Sequence, residues 1–256
     1  MMGTDNSQIQ QMAEKLIEAR SNKKPMLPLS EKYNLSMNDA YRVQKIIIDS
    51  KIAQGRRIIG WKLGYTSLAM RHQMKVNEPN YGPLLDNMML DSGSFISRNL
   101  LQPRVEPEIA LRFDRKLHIS HTFKELLDFI KNAYISLEIV DSIYKDYSFK
   151  IEDNTADCSS AAQFVIGPII NHDILEEAKI TFLKNGQTVD ECIGSAASGH
   201  PLNGILWLIK CLEKQNLTIE PEQIIITGGL SSAISIKNGD LIEAITEDSK
   251  VVQVYG

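Results

Sequence analysis

Cysteine is scarce in this chain: Cys158, Cys192 and Cys211 are odd in number, widely spaced and without any Cys-x-x-Cys pair. That pattern argues against a disulfide framework and against a structural zinc site. Excess positive charge is also missing. Lys and Arg number 28 against 32 Asp and Glu, for a net charge of −4, so there is no basic footprint for nucleic acid and no single-sign stretch for a membrane surface. Apolar runs are short, and none approaches the ~20 residues that cross a bilayer. Residues Met1 to Gln10 lack the basic-then-apolar order of a secretory leader, so export is not expected and a reducing cytoplasm is the natural location. With an apolar fraction of 43%, the chain reads as globular, with a sizeable core and small-molecule chemistry.

The pattern of elements divides near residue 56. Ile9, Met12, Ala13, Leu16 and Ile17 recur at helical spacing, which predicts an amphipathic helix ending near Asn22. Prolines at 25 and 28 predict an extended connector. Ser36 with Asp39 three residues on predicts the cap of a second helix running to about Ala53. This gives a helical N-terminal layer over 1–56. From Ile58 to Val254 short apolar strands dominate, so 57–256 reads as a β-rich catalytic region, integrated with the first layer in one domain. Within it, Ser67 is read as the cap of a short helix to Met74, and 77–83 as a structured loop. Thr122 with Glu125 reads as a capping box for a helix carrying Phe123 to Ile130. Lys184-Asn185-Gly186 signals a hairpin, and Pro201 opens a helix with a stripe from Leu202 to Leu212. His200, at that helix start, reads as structural.

The chemistry lies in Arg104-Val105-Glu106-Pro107-Glu108-Ile109-Ala110. On a strand, positions i and i+2 share a face, so Glu106 and Glu108 project together. A hard divalent cation would hold both ionised. A solvated strand edge blunted by Pro107 explains the pair equally simply, and for the pair alone it is the commoner case. Tyr134 to Asp141 supplies a second alternating strand with Ser136 and Glu138 on its mixed face. Lys62, flanked by Trp61 and Leu63, either snorkels to solvent or reaches an anion. The Thr227-Gly228-Gly229 turn offers backbone amides to an anion.

Taken in order, Gly60-Trp61-Lys62-Leu63-Gly64-Tyr65-Thr66-Ser67, Gln102 to Ala110, Leu137-Glu138-Ile139-Val140-Asp141-Ser142, Gly199-His200-Pro201 and Thr227-Gly228-Gly229 resemble the hydratase/decarboxylase branch of the fumarylacetoacetate hydrolase superfamily. The resemblance runs from the second helix to the C-terminus. It implies an α+β fold, a mixed β-sheet roll around a central site with the N-terminal helices packed outside. It also implies one Mg²⁺ or Mn²⁺ on Glu106, Glu108 and Glu138, a small unsaturated 2-oxo acid as substrate, and electron flow into its 2-oxo carbonyl.

Lys62 matches the family's site lysine, stabilising developing enolate charge or moving a proton, with a pKa that burial beside Trp61 is expected to lower. Asp157 is implied as a proton relay or orienting group, and Ser160, Thr227 and Asn80 as substrate-side residues. Hydratases of the branch carry an acidic residue where this chain has Asn80, and an amide cannot act as general acid or base. That difference and the form of Thr227-Gly228-Gly229 favour 4-oxalocrotonate (2-oxohex-3-enedioate) decarboxylation over 2-hydroxypenta-2,4-dienoate hydration. Cys158, where relatives commonly carry Asn, leaves the substrate open. Hydrolytic cleavage of an acylpyruvate would need a His or Glu base that the sequence does not place, and an inactive metal-binding partner subunit is the reading from another class. The resemblance further implies a homo-oligomer and a complex with the enzyme that consumes the product.

Overall fold

The computed structural model describes residues 5–68, 71–72 and 76–256. The chain opens with α1 (Asn6–Ser21), which buries Ile9, Met12, Ala13 and Leu16. Burying Ile9, Met12 and Leu16 contributes about 1.5–3 kcal/mol each relative to exposure, more than helix propensity supplies. A bridge from Met26 to Tyr144 and a 3-10 turn at Leu29–Glu31 form the connector. In α2 (Met37–Ala53) the Ser36 hydroxyl accepts the Asp39 amide as the sequence predicts. The two helices share an apolar cluster with Ile143, Tyr144 and Ala156, separate from the main core. Three further helices are described: α3 (Phe123–Asp128), α4 (Ile151–Ala156) and α5 (Pro201–Glu213).

The strands among the described residues are β1 (Ile58–Gly64), β2 (Asn80–Leu85), β3 (Met89–Leu90), β4 (Arg104–Phe113), β5 (Ile130–Val140), β6 (Ala161–Ile170), β7 (Lys179–Lys184), β8 (Gln187–Ile193), β9 (Ile224–Ile226), β10 (Ile234–Ser235), β11 (Leu241–Thr246) and β12 (Val251–Tyr255). A mixed sheet has the order β2-β1-β9-β4-β5-β6-β3, with β10 added to β4. Its β1–β9 and β3–β6 pairs are parallel and the rest antiparallel. A second, antiparallel sheet runs β12-β11-β7-β8. Ile135, Leu137 and Ile139 of β5 join Ile242, Ala244, Val252 and Val254 of the second sheet in one buried core. One face of the large sheet is thus taken up by packing. The other face packs a smaller cluster of Leu84, Ala110, Phe164, Ile224 and Ile226 and carries the polar side chains beside it.

Several expectations change in detail. The predicted loop at 77–83 contains β2 instead, and Pro83 is tolerated there because β2 lies at the sheet edge. The capping box of Thr122 and Glu125 forms, but α3 stops at Asp128 and Ile130 already belongs to β5. Strand pairing captures the end of the apolar run. The helix expected from Ser67 to Met74 lies partly outside the described residues. Asn185 and Gly186, at φ 53° and 75°, make the predicted hairpin turn.

Candidate metal centre

Register builds the site. In the β4–β5 pair Glu106 lies directly opposite Glu138, and Glu108 opposite Ser136. Directly opposed residues share a face, and the period of two puts Glu106 and Glu108 on it together. The same face continues sideways from Ala110 to Ile226 on β9 and from Ile226 to Lys62 on β1. The chain thereby brings all three glutamates and the lysine onto one side of the sheet from three separate sequence segments, β1, β4 and β5.

The three carboxylates each offer an oxygen within 4.8 Å of the others. Glu108 and Glu138 are 0% exposed, and Glu106 is partly exposed. Glu108 Oε2 accepts the Gly228 amide at 2.7 Å, so the Gly-Gly turn does hold an anion, and the anion is a glutamate of the chain itself. Glu108 Oε1 and Glu138 Oε1 are buried without a protein partner among the described residues. Burial raises all three carboxyls. Glu106 is pushed up to about 7 by burial and by Glu138, against the pull of Lys62. Glu108 stands well above its ordinary value through burial, Glu138 and Glu106, and Glu138 is raised by burial, partly offset by Lys62. Orphaned, converging, acid-shifted carboxylate oxygens are a donor set suited to a hard divalent ion.

Lys62 is 3% exposed. Its Nζ lies 3.0 Å from Glu138 Oε2 in a buried ion pair and donates to the Ser159 carbonyl at 3.1 Å. The expected lowering of its pKa is overturned. Burial does push it down, but Glu138, Glu106 and Glu108 together outweigh burial and hold it above the usual lysine value.

The Ser159 carbonyl is presented by an uncommon backbone. Cys158, Ser159 and Ser160 have φ of 53°, 55° and 56°, three successive left-handed residues that cost about 1–2 kcal/mol each. Asn80 and its neighbours brace them. The Ser159 hydroxyl donates to Asn80 Oδ1 at 2.9 Å, Asn80 Nδ2 donates to Asn154 Oδ1 and Thr155 Oγ1, and Asn154 Nδ2 donates to Ser160 Oγ. A methyl on Gly82 would lie 2.3 Å from the Cys158 carbonyl, and one on Gly64 2.3 Å from Asn80 Oδ1, which accounts for glycine at both positions on the facing strands.

Asn80, 0% exposed, is thus fully engaged within the protein. Thr227, expected on the substrate side, gives its hydroxyl and its amide to the Ile109 carbonyl and so seats the turn that presents the Gly228 amide. Asp157 has both oxygens against Arg20, at 3.0 and 3.1 Å, and accepts the Ile143 amide. His200 caps α5 by accepting the Leu202 amide on Nδ1. Asn154 and Arg20 escaped the sequence reading, whereas Thr155 and Ser159 lie in the run of small residues from Thr155 to Ala162 that reads as a candidate site wall. Ser136 and Thr66, whose buried hydroxyls lack protein partners among the described residues, stand in the sequence reading without a role. Of these two, Ser136 carried a readable signal, two residues before Glu138 on the same face.

No protein-family model matches the chain. Among characterised proteins it is 31% identical over 242 residues to a 2-keto-4-pentenoate hydratase of Paraburkholderia xenovorans, spanning 92% of this chain and 90% of the relative. It is 34% identical over 228 residues to 2-keto-4-pentenoate hydratase 1 of Dechloromonas aromatica, spanning 87% of each. The chain belongs to the hydratase/decarboxylase family that these relatives represent. Within that family its fold superposes on 4-oxalocrotonate decarboxylase from Pseudomonas putida G7, complexed with magnesium and adipate, at a TM-score of 0.93 and 27% identity over 100% of this chain and 99% of that one. Fumarylpyruvate hydrolase from Pseudomonas aeruginosa, at 10% identity and a TM-score of 0.61, shares the fold alone.

Glu106 has one neighbour that this hydratase/decarboxylase chain cannot enlarge. A methyl on Gly229 would lie 2.2 Å from Glu106 Oε2, so Gly229→Ala must push that carboxylate aside. The expected result is a ~10–100-fold loss of Mn²⁺ affinity by titration calorimetry, the scale of loss when a ligand's support is disturbed. The melting temperature without metal should change little.

Proposed function

We propose that the chain is a divalent-metal-dependent lyase acting on small unsaturated 2-oxo acids, with decarboxylation of 2-oxohex-3-enedioate as its leading reaction. The observation that carries this reading is the convergence of three carboxylates with orphaned oxygens beside a buried lysine. Mg²⁺ or Mn²⁺ held by Glu106, Glu108 and Glu138 would supply Lewis acidity toward the 2-oxo and carboxylate oxygens of the substrate. In the reaction the C5–C6 electron pair moves through the C3–C4 double bond to the 2-oxo oxygen as carbon dioxide departs. One proton then completes 2-hydroxypenta-2,4-dienoate. Lys62 is the group assigned to deliver that proton, because its ammonium is buried against Glu138 and the three glutamates favour its charged form. The unpartnered Ser136 hydroxyl is available to the substrate. Ser160, Thr227 and Asn80 act from behind the site, shaping its wall.

Decarboxylation needs an electron sink and a proton donor, whereas hydration also needs a group that activates water. Asn80, with its amide fully engaged, supplies no such group, which supports the decarboxylase reading. Hydration of 2-hydroxypenta-2,4-dienoate is the second reading, favoured by the hydratase names of the relatives at 30–34% identity. Incubation with 2-oxohex-3-enedioate and Mg²⁺ is expected to release carbon dioxide. Absence of release, together with efficient conversion of 2-hydroxypenta-2,4-dienoate to 4-hydroxy-2-oxopentanoate, would transfer the assignment to the hydratase.

An inactive metal-binding partner subunit is distinguished by turning over neither substrate, and a relative that has lost its metal by the absence of a Mn²⁺ response. Mn²⁺ at about 100 times its Kd stabilises a protein by about 2.7 kcal/mol, and a rise in melting temperature of roughly 5–10 °C is expected at this chain length. The same reading includes a homo-oligomer, with β8 as an exposed edge strand open to pairing, and a complex with the product-consuming enzyme. Three free cysteines fit a reducing cytoplasm. No helix among the described residues is long and apolar enough to cross a membrane.

A further inference from the structure

Arg20 stands in the last turn of α1, in the outer helical layer, yet its guanidinium reaches two aspartates of the β-rich region. Nη1 donates to Asp141 Oδ2 at 2.6 Å, while Nη2 donates to the Asp141 carbonyl at 2.9 Å and to Asp157 at 3.0 and 3.1 Å. These two aspartates bound the left-handed turn of Cys158, Ser159 and Ser160. The Asp157 carbonyl accepts the Ser160 amide at 2.9 Å, and the Asp141 amide donates to the Ser160 carbonyl at 2.9 Å. The turn in turn gives the Ser159 carbonyl to Lys62. Three residues in the left-handed region do not hold that shape unaided. Something must tie both ends.

We propose that Arg20 is a positioning residue for Lys62, acting through Asp157 and Asp141 to hold the turn whose Ser159 carbonyl anchors the lysine ammonium. The proposal rests on the reading that Lys62 acts on the substrate. An ammonium has three protons. One meets Ser159 and one faces Glu138, so with both anchors in place the direction of the third is fixed. Loss of the Ser159 anchor frees the ammonium to swing fully onto the carboxylates. Arginine suits this task because its planar fork bonds two carboxylates and a carbonyl at once, which an ammonium on a flexible stem cannot reproduce. The tie also gives the outer helical layer a part in the site. Asp157 thereby acts by orienting the turn.

The test is a double-mutant cycle. Arg20→Ala, Arg20→Lys and Asp157→Asn are each made alone and combined with Lys62→Met, and kcat, KM and Mn²⁺ affinity are measured on whichever of the two dienoic substrates the wild type turns over. Arg20→Ala is expected to lower kcat ~10–100-fold with KM and Mn²⁺ affinity within about twofold. Arg20→Lys should recover little, and in the Lys62→Met background the Arg20 change should cost less than about twofold, the mark of residues acting as one unit. Equal losses in both backgrounds, or a wild-type kcat in Arg20→Ala, would overturn the proposal. A Lys62→Met enzyme with full kcat would instead sink the reading of Lys62. Should Arg20→Ala not fold, Arg20→Lys and Asp157→Asn carry the cycle. A crystal structure of Arg20→Lys decides independently of turnover: the left-handed turn is expected to relax and Lys62 Nζ to leave hydrogen-bond reach of the Ser159 carbonyl, and an unchanged turn would overturn the proposal.

Discussion

Glu138→Gln is expected to lower metal-dependent turnover by roughly 10³-fold or more, the several kcal/mol that Lewis-acid polarisation contributes, and to abolish the thermal shift on adding Mn²⁺. The substitution is nearly isosteric and falls at a residue that is 0% exposed, so packing on β5 is retained. It also removes one of three mutually repelling acids from a buried site. Without metal that relief is set against the loss of the 3.0 Å ion pair with the buried Lys62, so the variant should be no more stable than the wild type, and its stability should depend less on pH, because burial raises Glu138 and its neighbours above the ordinary carboxyl range. The sign follows from proton linkage. Carboxyls raised in the folded state bind more protons there than in the unfolded chain, so stability falls as pH rises from the unfolded value near 4.5 through the folded value of about 7 for Glu106. Metal-free wild type should thus melt progressively lower across that window, while Mn²⁺, which displaces those protons, should bind more tightly and restore more stability toward pH 7 and above. Glu138→Gln should flatten both trends. A variant that still shows the wild-type Mn²⁺ shift in a melting scan would remove Glu138 from the ligand set.

Local pattern made much of this legible before any coordinates. Alternation placed Glu106 with Glu108 and Ser136 with Glu138, and the Ser36 and Thr122 caps formed where their spacing put them. Pairing partners were not legible. That Glu106 faces Glu138 depends on the β4–β5 register, and that Lys62 joins them depends on the parallel β1–β9 pair, whose strands are more than 150 residues apart in sequence. The lysine's charge state failed for the same reason: its neighbour in sequence is Trp61, but its neighbours in space are three carboxylates. The left-handed turn was hidden because Cys158, Ser159 and Ser160 are not the glycines that usually mark such backbone. Arg20 gave no signal, since a basic residue in the last turn of an amphipathic helix ordinarily complements the helix dipole from the solvent side.

Lys62→Met is expected to separate catalysis from metal binding by moving them in opposite directions. Methionine keeps the length and apolar contacts of the lysine stem within a residue that is 3% exposed, but takes away the ammonium 3.0 Å from Glu138 Oε2. Losing a positioned proton donor typically lowers kcat by ~10²–10⁴-fold. At pH 8, where the glutamates are ionised, Mn²⁺ affinity should hold or rise, because a cation that competes for the same carboxylate oxygens is gone. Stability without metal bears on the same point. The carboxylates lose the buried cation that lowers all three of them among the described residues and meet the change by retaining protons, so the apo variant should titrate its glutamates at still higher pH than the wild type. Mn²⁺ titrations at pH 6 and 8 read this directly: the variant should show a steeper pH dependence, with weaker binding at 6 and equal or tighter binding at 8. A lysine that served only to neutralise the glutamates would give a different signature, since added Mn²⁺ would replace its charge and restore kcat in the variant. Turnover that recovers to the wild-type level at saturating Mn²⁺ would therefore exclude Lys62 as the proton donor and leave the glutamates alone with the chemistry.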